Sequence, residues 1–191
     1  MSGDESDETP TVEESEAARL ASLETTFLSA LALKDGGDFD KAEEQLREIL
    51  RTEPRLAEPH MELARILLET DRLDDAEAHA RQAIEILGGD NGQWTDELPE
   101  NVVMALAHAL LAEILRRRAD SDEVLFGDPE VFRALVAEAK SHFETAADLD
   151  PKDEYSSYYG FFLGIEDKTG QPVQLELAPA QDAKPPIESD E

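Results

Sequence analysis

Residues 57–88 read AEPHMELARILLETDRLDDAEAHARQAIEILG. In its first half Leu63, Ile66 and Leu67 recur at helical spacing until Thr70-Asp71. In its second half Ala76, Ala80, Ala83 and Ile84 do the same until Gly88-Gly89. Pro59 falls in the first turn of the first run, where a missing N–H costs nothing. The stretch therefore predicts two amphipathic helices, from near Ala57 to Thr70 and from Leu73 to Leu87, joined by a short polar turn.

The second of these helices has copies on both sides. Ala42-x3-Leu46-x2-Ile49-Leu50-x3-Pro54 precedes Ala76-x3-Ala80-x2-Ala83-Ile84-x3-Gly88 by 34 residues, and Ala139-x3-Phe143-x2-Ala146-Ala147-x3-Pro151 follows it. The first helix is matched as well, His60-x2-Leu63-Ala64-x2-Leu67 against His108-x2-Leu111-Ala112-x2-Leu115. The turn Gly37-Asp38-Phe39-Asp40-Lys41-Ala42 parallels Asp71-Arg72-Leu73-Asp74-Asp75-Ala76. Small residues at these spacings let two antiparallel helices approach closely, and the larger ones fill the seam. A period in this range signals stacked helical units, which bury their apolar faces only against one another.

On these residues the chain resembles the tetratricopeptide repeat family, over roughly 23–151 and most strongly at 57–88. The resemblance implies an all-α fold of antiparallel helix pairs stacked as a short solenoid, with repeats at about 23–56, 57–90 and 99–151. Ahead of them Leu20, Leu23, Phe27, Leu28 and Leu31 predict a first helix, with a capping box at Thr11-Val12-Glu13-Glu14 and a stop at Gly36-Gly37. Two departures stand out. The linker from Gly88 to Pro99 is long and holds Trp94, the only tryptophan. The third unit also carries an insertion, since Leu115 and Ala139 lie 24 positions apart where Leu67 and Ala76 lie nine apart. Helices are expected at about 99–119 and 129–149, the second started by Asp128-Pro129-Glu130. Val124-Leu125-Phe126 in the joining loop are expected to tuck back under the repeats, the alternative being an exposed contact point. A last helix at 153–165 is dense in aromatics and is expected to cap the stack.

Charge frames this domain. The 191 residues hold 46 Asp+Glu against 17 Lys+Arg, a net charge of −29, and no cysteine. Residues 1–16 hold seven acids and no base, while 170–191 hold five acids against Lys184. Segments so poor in large apolar groups cannot offset the entropy of ordering, so 1–11 and 167–191 are expected to be disordered tails around a domain at 12–166. Such acidity excludes binding nucleic acid through a basic footprint. It does not by itself name a basic partner, because solubility or adaptation to high salt would produce it too. The acidic N-terminus lacks the marks of a signal peptide, and the longest apolar run, Val102 to Ala112, is too short for a bilayer. A cytoplasmic chain is expected.

Catalytic signatures are absent: there is no phosphate-binding glycine loop, no Gly-x-Ser-x-Gly and no His-Glu-x-x-His. We expect no enzyme, no cofactor and no metal. His60 and His108 share one repeat position, and His79 and His142 share another, so each pair could meet between antiparallel helices; repetition alone accounts for that.

The resemblance implies that the first helix of each pair lines a concave groove. That face would comprise Phe27, Leu28, Leu31 and Lys34, then Met61, Glu62, Arg65, Leu68 and Glu69, then Leu106, Ala109, Leu110, Glu113, Arg116 and Arg117. Phe27 and Met61 suit a peptide or helix ligand, and Lys34, Arg65, Arg116 and Arg117 are candidate anion contacts. The clamp that some family members use for a chaperone's C-terminal carboxylate is not matched, since its places hold Phe27, Leu31, Glu62, Leu106 and Leu110. Tyr155, Tyr158, Tyr159 and Phe162 form a second candidate contact surface, and the same helix is a candidate site of self-association. The function expected is a protein–protein adaptor or scaffold; the alternative is an acidic chaperone-like or mimic protein that holds a basic partner by charge.

Overall fold

The computed structural model describes residues 12–89 and 98–163. The Thr11 capping box, the Trp94 linker and most of both acidic tails lie outside the described residues. Within them the chain is all helix: α1 (Val12–Asp35), α2 (Phe39–Thr52), α3 (Ala57–Glu69), α4 (Leu73–Leu87), α5 (Glu100–Ala119), α6 (Asp122–Leu125), α7 (Pro129–Leu149) and α8 (Glu154–Phe162). They pack as the pairs α1/α2, α3/α4 and α5/α7, with α8 laid against α7. The first members α1, α3 and α5 also touch in a row.

The repeated positions form the seam. Ala42, Ala76 and Ala139 are fully buried, and so are Ile49, Ala83 and Ala146 two turns further on. The variable position between them holds Leu46, Ala80 and Phe143, all at 1% exposure or less. Leu63, Ala64 and Leu67 of α3 and Leu111, Ala112 and Leu115 of α5 face them from the partner helices, equally buried. Alanine at the crossing points brings the helix backbones together, and the leucines, isoleucines and Phe143 fill what remains.

Helix ends repeat too. Beyond α1, Gly37 takes a left-handed φ of 80°, and the Asp38 N–H donates back to the Leu33 carbonyl at 2.9 Å. Thirty-four residues on, Asp71 takes a φ of 59° and the Arg72 N–H donates to the Leu67 carbonyl at 2.8 Å. This closure uses carbonyls that a helix end leaves open, and glycine adopts it without steric cost while aspartate tolerates it. The third pair abandons the device: α5 passes Asp120 in an ordinary helical conformation and leads into α6. Asp128 then caps α7, its carboxylate accepting from the Glu130 N–H at 2.9 Å with Pro129 in the first turn, as the sequence predicts.

One expectation is corrected. The Val124-Leu125-Phe126 segment does not tuck under the repeats: Val124 is half-buried, but Leu125 is 51% and Phe126 86% exposed. The insertion coils on itself instead. The Phe126 N–H closes onto the Asp122 carbonyl at 3.0 Å and the Gly127 N–H onto Val124 at 3.2 Å, leaving the apolar tips outside. Glu43, only 7% exposed, pairs with Arg47 one turn further on. Its two oxygens also accept from Arg72 Nη1 at 3.0 and 2.9 Å, tying α2 to the turn before α4. A charge-assisted contact at this depth contributes more than a surface pair. Glu43→Ala should therefore lower unfolding stability by roughly 1–2 kcal/mol. Glu48→Ala, which breaks only the exposed pair with Arg51, should cost under about 0.5 kcal/mol, both read from urea midpoints.

Candidate partner-binding groove

The face expected to bind lies along α1, α3 and α5, and its bases already face acids of the same chain. Lys34 donates to Glu62 at 2.6 Å, bridging α1 to α3. Arg65 Nε lies 3.4 Å from the other Glu62 oxygen, in ion-pair range but not aligned to donate. On α5, Arg116 meets Glu113 at 2.7 and 2.9 Å and Asp120 at 2.9 Å. Arg117 reaches across to Asp71 at 3.6 Å. The four bases read from the sequence as candidate anion contacts thus all face acids of the same chain. An acidic ligand on this face would have to displace those partners.

Met61 must also be corrected. It is 5% exposed and belongs to the core, while its neighbour Glu62 points along the groove side to Lys34. Phe27 is half-buried and packed on that core, as is Leu68. The exposed large apolar side chains on this row of helices are Leu20 and Leu28 of α1, 38% and 58% exposed, and Leu106 of α5, 38% exposed. Glu69 is exposed at the end of α3.

The C-terminal aromatics join the same end of the face. The Tyr155 hydroxyl donates to Glu113 at 2.8 Å, and the Arg116 guanidinium lies over the Tyr159 ring, 5.5 Å from its centroid. Burial pushes the Glu113 carboxyl up, but the bonds from Arg116 and Tyr155 outweigh it and hold that carboxyl below the usual range. Burial, together with the bond to Glu113, raises the Tyr155 phenol. Beneath them Phe143 meets Tyr159 at 5.4 Å, stacked, and Tyr155 at 5.9 Å, edge-on. Tyr158 packs edge-on against Tyr159 and is itself 57% exposed. Phe162 lies in α8, but its side chain is outside the described residues. This helix covers α7 at close range: a Cβ on Gly160 would come within 3.3 Å of the Glu144 backbone nitrogen. The Tyr155–Glu113 tie spans 42 positions, and no periodicity in the sequence announces it.

The histidines do meet. His60 Nδ1 lies 2.8 Å from His79 Nδ1, and His108 Nδ1 lies 2.8 Å from His142 Nδ1. One ring of each pair donates a proton and the other accepts, clasping the two helices of the unit. Burial, then the facing ring, lowers His60 and His108 to about 4, and burial also lowers His79 and His142. Among the described residues no group of three or more His, Cys, Asp or Glu that could hold a metal ion is found.

Residues 27–91, from within α1 to just beyond α4, match the tetratricopeptide repeat family. The matched segment takes in the end of α1 and all of α2, α3 and α4, and over it the chain is similar to that family. Repeats of this family generally mediate protein–protein contacts and are typically non-enzymatic scaffolds. No curated protein matches the chain. Among the described residues no helix is long and apolar enough to cross a membrane.

Proposed function

We propose that this protein is an adaptor or scaffold that holds a peptide or helix of a partner protein along α1, α3 and α5. The observation that carries the reading is the pairing of charges on that face beside exposed Leu28 and Leu106. A surface whose ions are already matched offers a ligand apolar contact and hydrogen bonding rather than net charge. The exposed rims of Tyr155 and Tyr158 extend it at the α8 end. The cytoplasm is the proposed setting.

Salt separates this from binding by acidity alone. At about 0.5 M NaCl the Debye length falls to roughly 4 Å, so contacts made only by long-range charge are lost. Affinity capture from the source lysate should retain a partner at that salt concentration. The Leu28→Glu/Leu106→Glu double variant should lose it while remaining folded. A partner that elutes at high salt and ignores the double variant would favour the acidic chaperone-like or mimic reading.

A further inference from the structure

The insertion in the third unit builds a second surface that the groove does not use. A cleft of about 590 Å³ opens between the start of α4, the end of α5, α6 and the start of α7. Its apolar lining comes from Leu73, Val124 and Val131, the last 47% exposed. Beside it stand Leu125 and Phe126, and at 86% Phe126 is the most exposed large apolar side chain among the described residues. The tip is held in place rather than loose. Ser121 Oγ donates to the Arg118 carbonyl at 2.7 Å, and the turn ends in the Phe126 and Gly127 bonds described above. At Gly127 the chain passes so close to the Glu123 carbonyl that a Cβ would sit 2.4 Å from it.

The charges around this apolar tip are of one sign. Asp71, Asp74, Glu123 and Asp128 line the cleft, against Arg118 alone. Arg118 is already held by Asp74 at 3.2 Å and by Glu77. A second copy of a chain carrying −29 would be repelled here. We propose that the α5–α6–α7 corner docks a cationic amphipathic segment of another protein. Its apolar side chains would enter the cleft beside Phe126, and its lysines or arginines would meet the rim acids. Exposed apolar residues rimmed by charge mark such contact sites, and electrostatic complementarity selects the partner. The proposal is independent of the groove.

The test uses the full chain and a fluorescein-labelled synthetic peptide made only of Leu and Lys in helical register, with a companion in which every Leu is Ser. Anisotropy titrations at about 0.15 M NaCl should show the Leu/Lys peptide binding at least tenfold tighter than the Ser/Lys companion. Phe126→Ser removes no buried contact and leaves the charge unchanged, so its fold is preserved. It should weaken the Leu/Lys peptide about tenfold, and Glu123→Lys should weaken it similarly, while Leu106→Glu in the groove should not. Equal binding of both peptides, or of wild type and Phe126→Ser, would overturn the proposal. So would sedimentation showing a wild-type dimer that Phe126→Ser dissolves, because the occupant would then be a second copy.

Discussion

Phe143→Ala should remove about 3–5 kcal/mol of stability and free α8 before the rest of the molecule melts. Phe143 is fully buried and is the bulkiest residue at the repeat position that Leu46 and Ala80 fill in the other pairs. Its ring is the floor on which Tyr155 and Tyr159 rest. Removing it opens a cavity under α8, and Gly160 against Glu144 already leaves that helix no room to sink further. At roughly 2–4 °C per kcal/mol for a domain of this size, the melting temperature should fall by on the order of 10 °C. Amide protection should vanish across α8 while α3 and α4 keep theirs, because each unit of a stack depends chiefly on its neighbours. A loss below about 1 kcal/mol, with α8 still protected, would mean that the aromatics are not a structural cap.

Acidification should loosen the second and third units through their histidine pairs. In each neutral pair one Nδ1–H is donated to the other ring; a first added proton makes one imidazolium that can keep this bond, and a second would put two cations within 2.8 Å. His60 and His108 titrate near 4 in the folded chain against an ordinary 6.5. The unfolded chain therefore binds protons first as pH falls. The stability contributed by the neutral pairs is intact above about pH 6.5 and lost down through about pH 4. At about 1.4 kcal/mol per pH unit the ceiling is roughly 3 kcal/mol per pair, and water reaching the less buried partners lowers this towards about 2. Other charges facing the first pair are Glu43, Arg47, Arg72 and Asp75, with the Pro54 carbonyl near His60 Nε2. Glu138, 4.0 Å from His142 Nε2, and Arg81 face the second. His79→Gln/His142→Gln keeps a hydrogen-bonding group at each place but cannot become a second cation. Between about pH 7.5 and pH 4.5 wild type should lose only a few °C more in melting temperature than this variant, because burial, the larger cause at His60 and His108, is kept in both. An equal loss in both would show that the facing ring adds nothing and that burial of His60 and His108, with the carboxylates, sets the acid sensitivity.

Much of the architecture was legible because burial in stacked helix pairs leaves a regular trace. Ala76, Ala80 and Ala83 recur because two backbones must come close there, and their counterparts in α2 and α7 are buried in the same way. Asp128-Pro129 announced the start of α7 through local chemistry. Even the histidine contacts followed from register, since equivalent positions on antiparallel helices face each other. What escaped depends on angle and on distant partners. Met61 and Glu62 are neighbours set about 100° apart on the helix, enough to send one into the core and the other to Lys34. Phe126 is apolar, and composition alone favoured burial, but the turn hydrogen bonds of α6 decide where it points. The fate of Arg65, Arg116 and Arg117 was hidden because each side chain can reach several acids in so acidic a chain.

Two candidate contact faces result, and they make different demands on a partner. The proposed binding face along α1, α3 and α5 has its bases paired and offers apolar and aromatic contact. The α5–α6–α7 corner combines an exposed phenylalanine with acids in excess over bases. The central claim, that the groove face is where the partner sits, is tested most directly by amide hydrogen exchange on the full chain with and without the protein captured at high salt. The account predicts new protection along α1, α3 and α5, centred near Leu28, Arg65 and Leu106, with α2 and α4 unchanged. Protection confined to α2 and α4, or to α6 and the start of α7, would contradict it.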